Sequence, residues 1–157
     1  MEIAETPAAV LGLPTLAEVL RSFGGRAFLD IELKVGGLEQ ETITLLRECP
    51  PQNGYVVSSF LPEVLAALHR FDPTSSLGFL FERRDELDCW PELPVAWVIP
   101  QFELADQPLI EQMQAAGKKV MVWTVNHAES IRDFAEWGVD AIISDETELA
   151  VKVLSCA

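Results

Sequence analysis

Asp30, Glu32 and Lys34 occupy alternate positions of the segment Ala27–Val35. Leu29, Ile31, Leu33 and Val35 fill the positions around them. Successive side chains of a strand point to opposite faces, so the charges share one face and the aliphatics the other. An ordinary buried parallel strand reads as a near-continuous apolar run instead. On this strand one face packs helices and the other offers carboxylates and an amine. A carboxylate can hold a hard cation such as Mg2+ or Ca2+. An ammonium two residues away faces an anion. Together they suit a phosphate ester. The same residues also allow Glu32 and Lys34 simply to pair and neutralise one another. Asp30, earlier on the strand, reads as structural.

Strand-like and helix-like segments alternate along the chain. The pattern predicts strands at Ala27–Val35, Tyr55–Ser59, Ser76–Phe81, Val95–Pro100, Lys119–Val125 and Ala141–Ser144. Helices are predicted between most of them. Thr15 and Glu18 form a capping-box pattern. Pro62 suits a first helical turn, and Gly117 and Gly138 suit helix stops. The stretch Glu82–Pro94 reads as a loop or a short helix. Alternating β and α elements predict a parallel sheet with outer helices, either an open doubly wound sheet or most of a (β/α)8 barrel. Chemistry then belongs at the C-terminal ends of the strands. Those ends carry Glu32 and Lys34, Ser59 and Phe60, Gln101 and Glu103, Thr124 and Asn126, and Ser144 and Asp145. Ser59 suits a helix cap or a ligand contact, and Asn126 a helix cap. Trp123 suits an apolar wall or the core. His69 and His127 read as surface residues.

With 157 residues and 49% hydrophobic content, the chain can bury a real core. Its net charge of −14 argues against binding nucleic acid or anionic membrane surfaces. No apolar run reaches the roughly 18 residues of a membrane span. The three cysteines, Cys49, Cys89 and Cys156, lack metal-type spacing and read as reduced thiols. With no signal peptide apparent, a cytoplasmic location is expected. No GxSxG, P-loop, GxGxxG or CxxC pattern supports nucleophilic or nucleotide chemistry.

Five segments, taken in order, resemble the glycerophosphodiester phosphodiesterase family. They are Pro14–Leu20, Asp30–Lys34, Val57–Phe60 with Leu65, Val122–Asn126 and Gly138–Asp145. Each is modestly specific alone; all five in order are strongly specific. The resemblance implies an α/β fold: a TIM barrel lacking its first two strands, with six parallel strands and outer helices in one domain over residues 1–157. It implies metal-dependent hydrolysis of glycerophosphodiesters to an alcohol and glycerol 3-phosphate. Glu32 matches a metal-binding glutamate, Lys34 a lysine beside the phosphate, and Phe60 and Trp123 substrate-binding positions. The implied cofactor is a divalent cation, Mg2+ or Ca2+.

The family's His-Arg-Gly, Pro-Glu-Asn-Thr, Glu-x-Asp and His-Asp segments have no counterpart among these 157 residues. By this mapping the domain is N-terminally truncated. This chain alone is then expected to be inactive or weakly active. A homodimer, or a partner supplying the missing strands, is also expected, because an unfinished barrel leaves sheet edges open. The alternative is a non-catalytic binding or assembly module built on a partial barrel.

Overall fold

Helix α1 (Leu16–Phe23) starts where the sequence signal places it. The Thr15 hydroxyl accepts the Glu18 N–H, and the Glu18 carboxylate accepts the Thr15 N–H at 2.8 Å. Both orphan donors of the first turn are thereby satisfied. Gly24 ends the helix, and a Cβ there would fall 2.5 Å from the Leu20 carbonyl oxygen. These features come from a computed structural model that describes residues 12–155. The N-terminal residues read for a signal peptide, and Cys156, lie outside that range. The chain divides into two compact units, residues 1–77 and 78–157.

In the first unit α1 is followed by β1 (Leu29–Glu32), α2 (Glu39–Glu48), β2 (Tyr55–Ser59) and α3 (Pro62–Phe71). β1 runs parallel to β2, with Leu29 opposite Tyr55 and Glu32 opposite Ser58. The expected alternation holds: Leu29 and Ile31 are half-buried, Leu33 is buried, and Asp30, Glu32 and Lys34 are exposed. The strand is shorter than the predicted Ala27–Val35. Its ladder closes where the Leu33 N–H donates to the Ser58 carbonyl at 2.8 Å. A turn follows through Gly36 and Gly37, and Gly37 has φ +95°. The Gly37 N–H donates to the buried Glu39 carboxylate at 2.9 Å. Lys34 therefore lies beyond the strand, just before this bend. The core of this unit is Leu20, Ile43, Leu46, Val56, Val57, Leu65 and Leu68, all buried.

The second unit is built on β3 (Leu77–Phe81, its first residue closing the preceding unit), β4 (Trp97–Pro100), β5 (Lys119–Val122) and β6 (Ala141–Ile142). Its helices are α4 (Gln107–Ala115), α5 (Ala128–Glu136) and α6 (Thr147–Leu154). β3 pairs with β4, β4 with β5 and β5 with β6, each in parallel. Every strand except β3 is shorter here than predicted by two residues or more, and β3 lacks only Ser76. The stretch 82–94 forms two single 3-10 turns, Arg84–Glu86 and Trp90–Glu92, and buries Trp90. Gly117 and Gly138 follow α4 and α5 with φ +75° and +74°, the left-handed stop expected of them. Parallel strands alternating with helices in both units give the expected α/β class. No described helix is long and apolar enough to cross a membrane.

Candidate functional site at the strand ends

In the first unit the end of β1 brings Glu32 and Lys34 together. The Lys34 ammonium donates to Glu32 Oε1 at 2.6 Å. The side chains are 66% and 29% exposed for Lys34 and Glu32. An ion pair this open contributes at most about 1 kcal/mol to stability. Its interest is chemical. Lys34 carries three N–H donors, so it can serve Glu32 and an incoming anion together.

Asp30 is occupied differently. The Ser58 hydroxyl donates to its carboxylate at 2.6 Å. Partial burial pushes the Asp30 carboxyl above its ordinary range; the Ser58 hydrogen bond opposes this, and the nearby Glu32 charge adds to it. The folded chain thus holds this proton more tightly than the unfolded chain does. Raising the pH from the ordinary aspartate range through the raised folded value removes stability from this group. Asp30→Asn is expected to cancel that loss. At pH 7 the variant should be more stable by no more than about 0.5 kcal/mol, a ceiling kept low because solvent screens this exposed residue, and the two proteins should converge below the aspartate range. Urea unfolding between pH 3 and 7 checks this; a variant less stable at pH 7 by that margin would contradict it.

Ser59 is buried at the end of β2. It donates to the Leu33 carbonyl at 2.7 Å and accepts the Leu61 N–H at 3.1 Å. Leu61, not Ser59, is the N-cap residue of α3. Phe60 lies between them, half-buried.

In the second unit Trp123 follows β5 and is half-buried. Its indole N–H donates to the Ile99 carbonyl at 2.9 Å, and its own carbonyl accepts the Phe102 N–H at 2.7 Å. The first bond holds the ring at the β4 residue Ile99, and the second holds the backbone of Trp123. Asn126 corrects its sequence reading as a helix cap: His127 is the N-cap residue of α5, and no side chain bonds there. Asn126 instead accepts from the Ser144 hydroxyl at 3.1 Å and the Asp145 N–H at 2.9 Å. It also donates to the Asp145 carboxylate at 3.0 Å. The polar strand ends at 126 and 144–145 were visible in the sequence; their mutual bonding was not. His127 is exposed and His69 lies within α3.

A hard divalent cation takes at least six oxygen ligands. Glu32 already accepts from Lys34, and Asp30 from Ser58. Among the described residues no three His, Cys, Asp or Glu side chains gather around a common point. These residues do not by themselves fit a complete divalent-cation site.

Residues 5–149 match the model of the glycerophosphoryl diester phosphodiesterase family. A glycerophosphodiester phosphodiesterase of Caldanaerobacter subterraneus subsp. tengcongensis is 26% identical over 151 residues, covering 90% of this chain and 62% of its own length. The structure of an Oleispira antarctica phosphodiesterase, in complex with the product sn-glycerol-3-phosphate, is 24% identical with a TM-score of 0.77. The match covers 90% of this chain and 61% of that one. A glycerophosphodiester phosphodiesterase structure from Parabacteroides distasonis is 21% identical with a TM-score of 0.77, covering 92% of this chain and 65% of that one. The chain spans between 54% and 65% of the length of the relatives it matches. With the matched residues, the ordered strand-end segments and the parallel α/β fold agreeing, the chain belongs to the glycerophosphoryl diester phosphodiesterase family.

Proposed function

We propose that this chain recognises glycerophosphodiesters, the substrate class named for its family, with Lys34 facing the phosphate. The Glu32–Lys34 pair carries the reading: at 2.6 Å the carboxylate holds an exposed ammonium at a strand end, in a chain of this family. The ammonium offsets the negative charge of an arriving phosphate, which a chain of net charge −14 would otherwise repel. In the first unit, Phe60 supplies apolar surface for the substrate. Trp123, taken by itself within the second unit, is an apolar wall suited to a glycerol-like group, its indole fixed by the bond to Ile99. The family is generally metal-dependent. Glu32 is the residue here that would contribute an oxygen to Mg2+ or Ca2+. The unpaired thiols of Cys49 and Cys89 agree with a reducing, cytoplasmic location.

The test is a titration of the isotope-labelled chain with sn-glycerol 3-phosphate, read from amide shifts. Lys34→Gln is expected to weaken binding about 10- to 100-fold, as losing a charge-assisted hydrogen bond should. Unchanged affinity would remove Lys34 from the site. A parallel Ca2+ titration addresses Glu32. Binding no tighter than about millimolar is expected, lost in Glu32→Gln; identical Ca2+ shifts in that variant would remove Glu32 as a ligand.

A further inference from the structure

Ser59 presents a buried hydroxyl at the end of β2, next to the buried Ser58 and beyond the aliphatic Val56 and Val57. Val56 and Val57 of the same strand are buried, and Ser59 is buried as completely. A buried hydroxyl is costly unless its hydrogen bonds are made. Here one oxygen makes two, and they reach different segments. It donates to the Leu33 carbonyl at 2.7 Å. It accepts the Leu61 N–H at 3.1 Å.

The covalent position of these two groups matters. The Leu33 carbonyl belongs to the peptide plane that leads into Lys34. The Leu61 N–H belongs to the plane that leads out of Phe60. Rotation of either plane would swing the adjacent side chain. The neighbouring peptide planes on the far side of Leu33 and of Leu61 are anchored too. The Leu33 N–H is held by the Ser58 carbonyl, and the Leu61 carbonyl accepts the Val64 N–H at 3.0 Å. The hydroxyl thus joins the end of β1 to the start of α3. No side chain caps α3, so no other side-chain cap performs that task at Leu61.

We infer that Ser59 is a positioning residue: its hydroxyl fixes the Lys34 segment and Phe60 in one binding geometry for a phosphate ester, without itself touching the ligand. This rests on the reading of Lys34 as the phosphate contact. A hydroxyl serving stability alone would lower the melting temperature when removed and leave affinity untouched in the folded protein.

The experiment compares Ser59→Ala, Ser59→Cys, Lys34→Gln, Ser59→Ala/Lys34→Gln and Leu68→Ala in the 157-residue chain. Leu68 is buried in α3, and its truncation supplies a stability control. Each is titrated with sn-glycerol 3-phosphate by amide shifts, at a temperature where it is fully folded. Ser59→Ala should weaken binding about 10-fold, with Ser59→Cys between it and the parent, since a thiol is a weaker donor and acceptor. The effect should largely disappear in the Lys34→Gln background, because coupled residues are not additive. Leu68→Ala should lower stability and keep the parent affinity. Parent affinity in folded Ser59→Ala, or full additivity with Lys34→Gln, overturns the inference. Should Ser59→Ala not fold, Ser59→Cys carries the same comparison. If Lys34→Gln alone changes nothing, the phosphate reading has failed instead. Ser59 is then judged on ligand-free spectra, where Lys34 and Leu61 amides should shift or broaden in Ser59→Ala but not in Leu68→Ala; unmoved resonances reject it.

Discussion

Supplied with glycerophosphocholine and Mg2+ or Ca2+, the purified 157-residue chain is expected to turn over at least about 10⁴-fold more slowly than a full-length relative. Phosphodiester hydrolysis needs a base for the attacking oxygen and an acid for the leaving group. Each contributes roughly 10²- to 10⁴-fold. Lys34 can gather negative charge, but a protonated ammonium is no base. Of the two histidines, His69 lies within α3 and His127 is an exposed N-cap residue of α5. Among the described residues no three His, Cys, Asp or Glu side chains gather to hold a metal ion. Binding and catalysis should therefore separate, with sn-glycerol 3-phosphate recognised while turnover stays near background. Release of choline or glycerol phosphate, followed against the Caldanaerobacter relative, is the measurement. A rate within about 100-fold of that enzyme would show that a proton-transfer partner exists in this chain after all.

Phe81→Ala should cost about 3–5 kcal/mol, the largest loss expected from a single side chain here. Phe81 is fully buried on β3, and its ring stacks on Phe79 with centroids 5.6 Å apart. Positions 79 and 81 share one strand face, so removing one ring leaves a void bordered by the other. Domains of this size hold only about 5–15 kcal/mol in total, so the variant should approach marginal stability. Phe71 gives the contrast. It is 45% exposed at the end of α3, and Phe71→Ala should stay within about 0.5 kcal/mol. Urea unfolding followed by tryptophan fluorescence measures both. Equal losses for the two would mean that burial does not set the cost.

Much of the fold was legible because its signals are local. Thr15 and Glu18 announced α1, and Gly117 and Gly138 announced the ends of α4 and α5, since capping and left-handed turns depend on a few neighbouring residues. Strand ends were less legible. The predicted Ala27–Val35 and Lys119–Val125 shrank to Leu29–Glu32 and Lys119–Val122. A strand stops where its ladder partner stops, and that partner lies many residues away. Lys34 consequently lies just beyond its strand, and Trp123 beyond its own in an isolated parallel bridge to Gln101. The same distance in sequence hid the bonding of Asn126 to Ser144 and Asp145, and of Ser59 to Leu33.

What the chain determined by itself was pattern: alternate charges on one face of β1, helix boundaries, and the alternation that makes an α/β fold. Tertiary structure decided which polar atoms meet. It placed Lys34 on Glu32, gave Asp30 to Ser58, and set one buried hydroxyl between two segments. Periodicity follows from the backbone geometry of each element. A hydrogen bond between segments depends on register and turn shape to within an ångström, which no local run of residues encodes.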